Sequence, residues 1–268
     1  NPPIMFYCFL ILLLPTMIFV MIPRAMVSVK RINEVLETES SVKDNGKILP
    51  RGQFTRPGEI EFIDDTFQYA DGDIPVLSNM NFKIEKGQTV AILGGTGSGK
   101  TSLLSLIMRF YDITSGVVKI GGVNIKNMSI KQLRDMIGYV PQKAVLFSGT
   151  IESNIKYGKQ DATYEEMVEA AKIAQSYDFI DSLDEKFNAP VAQGGTNFSG
   201  GQKQRLSIAR AIIKKPEIYL FDDSFSALDY ETDKKLREAL NENMKSATVV
   251  IVAQRVSTVL NADKILFI

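Results

Sequence analysis

The residues Gly94-Gly95-Thr96-Gly97-Ser98-Gly99-Lys100-Thr101-Ser102 carry the most specific chemistry in this chain. Gly94, Gly99, Lys100 and Thr101 stand at the spacing of a phosphate-binding loop. Glycines let consecutive backbone N–H groups converge on phosphate oxygens, and a helix opening at Lys100 adds the positive end of its dipole. In such a loop the lysine reaches the β- and γ-phosphates and the threonine hydroxyl ligates Mg²⁺. The bland alternative is a glycine-rich strand-to-helix turn with no ligand. The apolar strand before the motif and the helical pattern after it favour the phosphate loop.

A second feature supplies what such a loop needs. Ile218-Tyr-Leu-Phe-Asp222 is a short apolar run bounded by Pro216 and followed by Asp223. It reads as a buried strand of a parallel sheet, whose carboxyl end is where functional groups gather. Asp222 is then the carboxylate that organises Mg²⁺, and Asp223 stands where a group orients or deprotonates the attacking water. For either acid alone, helix capping or simple solvation is the competing reading.

Composition excludes other chemistries. The chain has 31 Lys plus Arg against 31 Asp plus Glu, so it lacks the basic excess of a nucleic-acid surface. No histidine is present, which removes His-based metal sites, triads and general bases. The single cysteine, Cys8, allows no internal disulfide.

Phe198-Ser199-Gly200-Gly201-Gln202 decides the kind of ATPase. Ser199 and Gln202 form a Ser-x-x-Gln capping box, and the two glycines let backbone amides approach an anion at the helix start. This stretch resembles the signature motif of the ATP-binding cassette (ABC) proteins, usually written LSGGQ. The resemblance runs from about Glu59 to Ile268. It implies that Ser199, Gly200, Gly201 and Gln202 complete the ATP site of an opposing cassette, so that two subunits clamp two nucleotides head to tail. It implies ATP and Mg²⁺ as cofactors, with ATP held by Gly94 to Ser102, Tyr69 stacked on adenine, and Gln142 sensing the metal and nucleotide. Thr101, Gln142 and Asp222 are then the metal set. Ser226 to Asp229 matches the loop that touches the opposite site, and the segment from Ala144 resembles the exporter branch.

Departures from the family pattern are equally informative. Most active cassettes place glutamate after the metal Asp, where this chain has Asp223, and a switch histidine where it has Gln254. Asp223 and Gln254 are the catalytic candidates, yet a shorter carboxylate retracts the basic oxygen, and an amide carries neither proton nor charge. Gln193-Gly-Gly-Thr also replaces a segment that commonly contains glutamate. Together these resemble the degenerate, slowly hydrolysing half of bacterial heterodimeric multidrug exporters. A homodimeric exporter with a complete but slow ATPase, a soluble cassette acting on DNA or ribosomes, and a binding-only module are the rival readings.

The elements that must position these groups follow from periodicity. Strands are expected over 59–69, 76–84, 88–93, 138–141, 218–222 and 248–253, with helices over 100–110, 163–183, 199–215 and 232–244. Alternating strands and helices predict an α/β fold with a parallel sheet covered on both faces, and the early strands predict an antiparallel flank. The resemblance adds a phosphate-loop NTPase core and an inserted α-helical subdomain between Gln142 and Pro216. Upstream, Ile4 to Ile22 carries no charge and is close to the ~20 residues that span a bilayer. Arg24, Lys30 and Arg31 follow it, which places that flank on the cytoplasmic side. Residues 1–37 are therefore expected to be the end of a transmembrane helix of a longer chain with its cytosolic extension, 38–58 a linker, and 59–268 a cytoplasmic nucleotide-binding domain cut at its C-terminus. The expected partners are the cell membrane, a second exporter subunit and a small-molecule, lipid or peptide cargo, with no nucleic acid.

Overall fold

A computed structural model describes residues 2–253 and 262–268, apart from the side chains at positions 2, 8, 10, 12 and 14. The chain divides into two compact units, Asn1–Lys43 and Asp44–Ile268.

The first unit is a single long helix, α1 (Pro2–Leu36), with Pro15 and Pro23 inside it. Each proline removes one backbone hydrogen bond from the helical ladder. Among the described residues no helix is long and apolar enough to cross a membrane. The transmembrane helix expected over residues 4–22 is thus not established.

The second unit begins inside the segment expected to be a linker. The Asp44 carboxylate accepts from the backbone of Gly46 and Ile130, both at 3.0 Å. Leu49 is buried and exchanges two hydrogen bonds with the Gln132 side chain, at 2.8 and 2.7 Å. Short polar side chains that bond to backbone thus fasten residues 44–58 to the domain.

Along the second unit, β1 (Ile60–Phe67) pairs antiparallel with β2 (Leu77–Ile84). Then β3 (Thr89–Leu93) runs into the glycines and α2 (Lys100–Ile107). Two strands that periodicity did not reveal, β4 (Ser115–Ile120) and β5 (Val123–Asn124), extend the antiparallel flank to the order β2-β1-β4-β5. They are short and meet at Gly121-Gly122, both at positive φ, so their pattern is too brief to declare itself. Next come α3 (Ile130–Asp135) and β6 (Ile137–Val140).

The helical subdomain follows: β7 (Gly149–Thr150), α4 (Ile151–Lys156), α5 (Tyr164–Ile173), α6 (Tyr177–Asp181), β8 (Pro190–Val191) and α7 (Gly200–Ile213). The single helix expected over 163–183 is broken in two. Gln175 turns into the left-handed region at φ 54°, and the Ser176 hydroxyl bonds back to the Ala171 carbonyl at 3.0 Å. The chain returns through β9 (Ile218–Asp222), α8 (Tyr230–Asn243), β10 (Thr248–Val252) and β11 (Lys264–Phe267).

The parallel sheet has the order β11-β3-β10-β9-β6. Its side chains alternate between two cores, as the two-residue period of a strand demands. Tyr219 and Phe221 of β9, with Val249 and Ile251 of β10, face the helical subdomain. Ile218, Leu220, Val250 and Val252 face α2 and the antiparallel flank. Burial on both faces explains why β9 and β10 are apolar throughout, and it fixes the register that delivers Asp222 to the sheet's carboxyl edge.

A candidate nucleotide site at the carboxyl edge of the parallel sheet

The glycine loop leaves β3 and folds back on itself. Gly97 and Gly99 have φ of 81° and 96°, in the region that side chains rarely adopt. A Cβ on Gly94 would lie 2.5 Å from Ser98 Oγ and 2.3 Å from the Ile268 carbonyl oxygen, so the cradle admits no side chain there. Gly99 caps α2 without any side-chain bond, leaving the first N–H groups of that helix open to an anion. The Lys100 ammonium occupies the loop itself, donating to the Gly94 and Gly95 carbonyls at 2.9 and 2.5 Å.

One residue on, the Thr101 hydroxyl donates to Asp222 Oδ1 at 3.1 Å. The other Asp222 oxygen accepts from the Tyr139 hydroxyl at 3.4 Å. Asp222 is 2% exposed and makes no ion pair among the described residues. Burial pushes its carboxyl up from the ordinary range; the bonds from Thr101 and Tyr139 oppose this, and neighbouring Asp223 adds to it. The same desolvation, with the Asp222 charge, pushes the Tyr139 phenol up to about 12.

Asp223 is also buried, and its Oδ2 accepts from Gln142 Nε2 at 3.3 Å. Its φ of 46° is left-handed, a conformation in which Asp is enriched several-fold among non-glycine residues. Its backbone N–H donates to Val252 at 3.2 Å, and Ser224 Oγ donates to Val140 at 2.8 Å. The turn after β9 is thereby pinned to both neighbouring strands.

The structure therefore brings together Gly94 to Ser102, Asp222, Asp223 and Gln142. Tyr69 joins them through Ser102: the two hydroxyls lie 2.8 Å apart. Its ring stands edge-on to Phe67 and Tyr111, with centroids at 4.7 and 5.1 Å. Ser199 to Gln202 form the exposed start of α7, where the Ser199 side chain accepts from the Gln202 N–H at 3.2 Å and Gln202 Oε1 from the Ser199 N–H at 2.9 Å. Gln254 lies outside the described residues. Sequence reading overlooked Tyr139, although it stands in the same Tyr-Val-Pro-Gln stretch that singled out Gln142. It also overlooked Gln204, whose amide holds the Pro141 carbonyl at 3.1 Å.

These residues fit a magnesium nucleotide. A loop with no room for a Cβ at Gly94 presents backbone amides and a lysine. A buried carboxylate that makes no ion pair among the described residues stands against a threonine hydroxyl, giving two oxygen donors of the hard type Mg²⁺ prefers.

A family model described as ABC transporter matches residues 77–226, more than half of the chain. The chain belongs to the ABC transporter family.

Its matched region contains the glycine loop, Gln142, the α7 start and both acids of the β9 turn. An uncharacterized ABC transporter ATP-binding protein of Mycobacterium tuberculosis (strain H37Rv) is 42% identical over 261 residues, covering 96% of this chain and 44% of that protein. A Staphylococcus aureus (strain NCTC 8325) relative, provisionally named a multidrug export ATP-binding/permease protein, is 47% identical over 213 residues, 80% of this chain and 37% of its own. Among solved structures, a bacterial Atm1-family ABC exporter with ATP bound superposes with a TM-score of 0.84 at 33% identity, over 92% of this chain and 43% of that one. This ABC chain spans less than half the length of each of these proteins.

Proposed function

We propose that this chain is the ATP-binding and ATP-hydrolysing part of an ABC exporter, and that its own site is the slower of two in a heterodimer. The observation that carries the ATPase reading is the Thr101–Asp222 pair, which closes the phosphate loop onto the end of β9 at 3.1 Å. When bound, Mg²⁺ would neutralise phosphate charge and polarise the γ-phosphoryl group. The protein's share is to hold the phosphates with the loop amides and Lys100, and to fix the metal's place with Thr101, Asp222 and Gln142. Tyr69 supplies an aromatic edge for the base. Lys100 has first to exchange the Gly94 and Gly95 carbonyls for phosphate oxygens.

Asp223 carries the finer part of the reading. Its carboxylate is one methylene shorter than glutamate, sits at a left-handed φ and is bonded to Gln142, so it is drawn toward the protein wall. A general base acts only within hydrogen-bond reach of the proton it takes. A glutamine amide such as Gln254 at the switch position can donate a hydrogen bond but cannot take up a proton or carry positive charge. The exposed, capped Ser199 to Gln202 stretch is near the family pattern, and in this reading it completes the partner's competent site.

The exporter assignment draws on the provisional export name of the Staphylococcus relative and on the Atm1-family neighbour. It also draws on the charge-free run from Ile4 to Ile22 with its basic flank, which we assign to the last membrane helix, with residues 1–37 as that helix and its extension, 38–58 as the connecting segment, docked on the nucleotide unit from Asp44 onward, and 59–268 as the cytoplasmic nucleotide-binding core. The cargo, small molecule, lipid or peptide, is contacted outside this chain. A second reading, a homodimer with a complete slow site, has one point in its favour: position 223 still holds a carboxylate. Purification of the intact protein from its own membrane separates the two. The heterodimer requires a co-purifying homologous chain bearing Glu after its metal Asp and a switch His; two identical subunits with brisk hydrolysis would sink it.

A further inference from the structure

Tyr69 lies two residues past the end of β1, on a loop that closes where the Val76 N–H donates to the Phe67 carbonyl at 2.8 Å. Three side chains from outside that loop hold its ring. Ser102 meets the Tyr69 hydroxyl at 2.8 Å, Phe67 stands edge-on at 4.7 Å, and Tyr111 stands edge-on at 5.1 Å with the two ring planes 89° apart. Phe67 and Tyr111 also meet, at 5.7 Å, so the three rings close a triangle.

Phe67 is buried in the core, but Tyr111 is 41% exposed, so much of its ring is not spent on core burial. The turn that carries it is nevertheless firmly built. Just past α2, Arg109 turns the chain at φ 50°, in the left-handed region, and its side chain is buried. Its guanidinium donates to Asp112 at 2.9 Å and to the Ile125 carbonyl at 3.3 Å, which ties the chain on both sides of Tyr111. The Thr114 N–H then donates to the Thr66 carbonyl at 2.9 Å and brings the segment against β1. A left-handed non-glycine residue and a buried arginine are both costly at a surface turn, and they persist where the surroundings over-determine the geometry.

We propose that Tyr111 is a positioning residue for the nucleotide base, which presets the plane of the Tyr69 ring. This role rests on the proposed stacking of Tyr69 against the base, and adds that the ring is oriented from outside its own loop. Ser102 reaches it from the first turn of α2 and Tyr111 from the turn after that helix, so the base shelf is tied to the element that begins at the phosphate loop. Base and phosphates are thereby held in register by one helix. Ordering a side chain at the moment of binding lowers affinity, and a ring already ordered avoids that loss.

Calorimetric titration of the intact transporter, partner site disabled, with ATP and with inorganic tripolyphosphate in EDTA tests this. Tyr111→Leu should weaken ATP binding about 2- to 12-fold, the worth of an edge-to-face pair, and leave tripolyphosphate, which lacks a base, unchanged. Tyr111→Phe keeps the ring and should retain the parent's ATP affinity. In a Tyr69→Leu background, Tyr111→Leu should weaken ATP no further, because Tyr111 acts through Tyr69. The proposal is overturned by unchanged ATP affinity in Tyr111→Leu, by equal weakening of both ligands, by a Phe variant as weak as the Leu variant, or by an undiminished effect in the Tyr69→Leu background. Failure of the parent protein to bind ATP at all would instead remove the nucleotide reading itself, and this role with it.

Discussion

Thr101 and Asp222 are 121 residues apart in the chain, yet the threonine hydroxyl meets the carboxylate at 3.1 Å. That bond joins the helix that starts at the glycine loop to the strand that ends at the Asp222–Asp223 turn. Removing the hydroxyl should therefore affect the metal-bound nucleotide and spare the metal-free one. Thr101→Ala is expected to weaken MgATP binding about 10- to 150-fold, the worth of a hydrogen bond to a charged group, with ATP binding in EDTA unchanged. Calorimetric titration in both buffers checks this, and Thr101→Ser should restore affinity.

Lys100 makes a separate prediction. Its ammonium already bonds two loop carbonyls, so it is positioned before phosphate arrives. Lys100→Ala should lower ATP affinity at least ~10-fold whether or not magnesium is present, since a charge-assisted contact to phosphate is lost. Equal affinities for variant and parent protein would contradict the placement of this side chain.

Asp65 gives the fold a pH signature away from the site. It is 1% exposed, and burial raises its carboxyl from 3.8 to about 6, assisted by Asp64 and opposed by the Ile63 N–H and Lys126. Because the folded value lies above the unfolded one, the associated stability is fully present below pH 3.8 and is lost as pH rises through about 6. Asp65→Asn removes that loss. Urea unfolding should show the variant gaining roughly 2–3 kcal/mol relative to the parent between about pH 4 and 7. A difference that stays constant with pH would exclude Asp65 as its source.

Ser199 caps α7 reciprocally with Gln202. Ser199→Ala should cost about 1 kcal/mol of stability and Ser199→Gly only a few tenths, measured by chemical unfolding. The order of the two variants is the informative result, because both lose the hydroxyl that accepts from the Gln202 N–H while glycine is the better tolerated residue at a helix N-cap.

Much of this was readable in advance, for local reasons. The loop from Gly94 to Ser102 declares itself because backbone amides, lysine and threonine must converge within a few residues. Asp222 was legible because β9 is buried on both faces and so ends abruptly in its acids. The α7 cap is likewise a four-residue pattern. What escaped depends on pairings across the chain. β4 and β5 are defined by partners rather than by their own short sequences. Residues 44–58 read as linker, since Asp44, Asn45 and Gly46 are turn formers; only Gln132 and Ile130, far along the chain, show that the segment is docked. The contacts of Asp223 with Gln142 and of Tyr69 with Ser102 likewise need the folded sheet.

The most direct test of a site built to hold ATP more than to cleave it is steady-state hydrolysis by the intact transporter with the partner site disabled. Asp223→Glu with Gln254→His should raise turnover at this site by roughly 100-fold or more, the contribution of a properly placed general base. Turnover that stays at the parent level in the double variant, with ATP binding intact, would contradict the account.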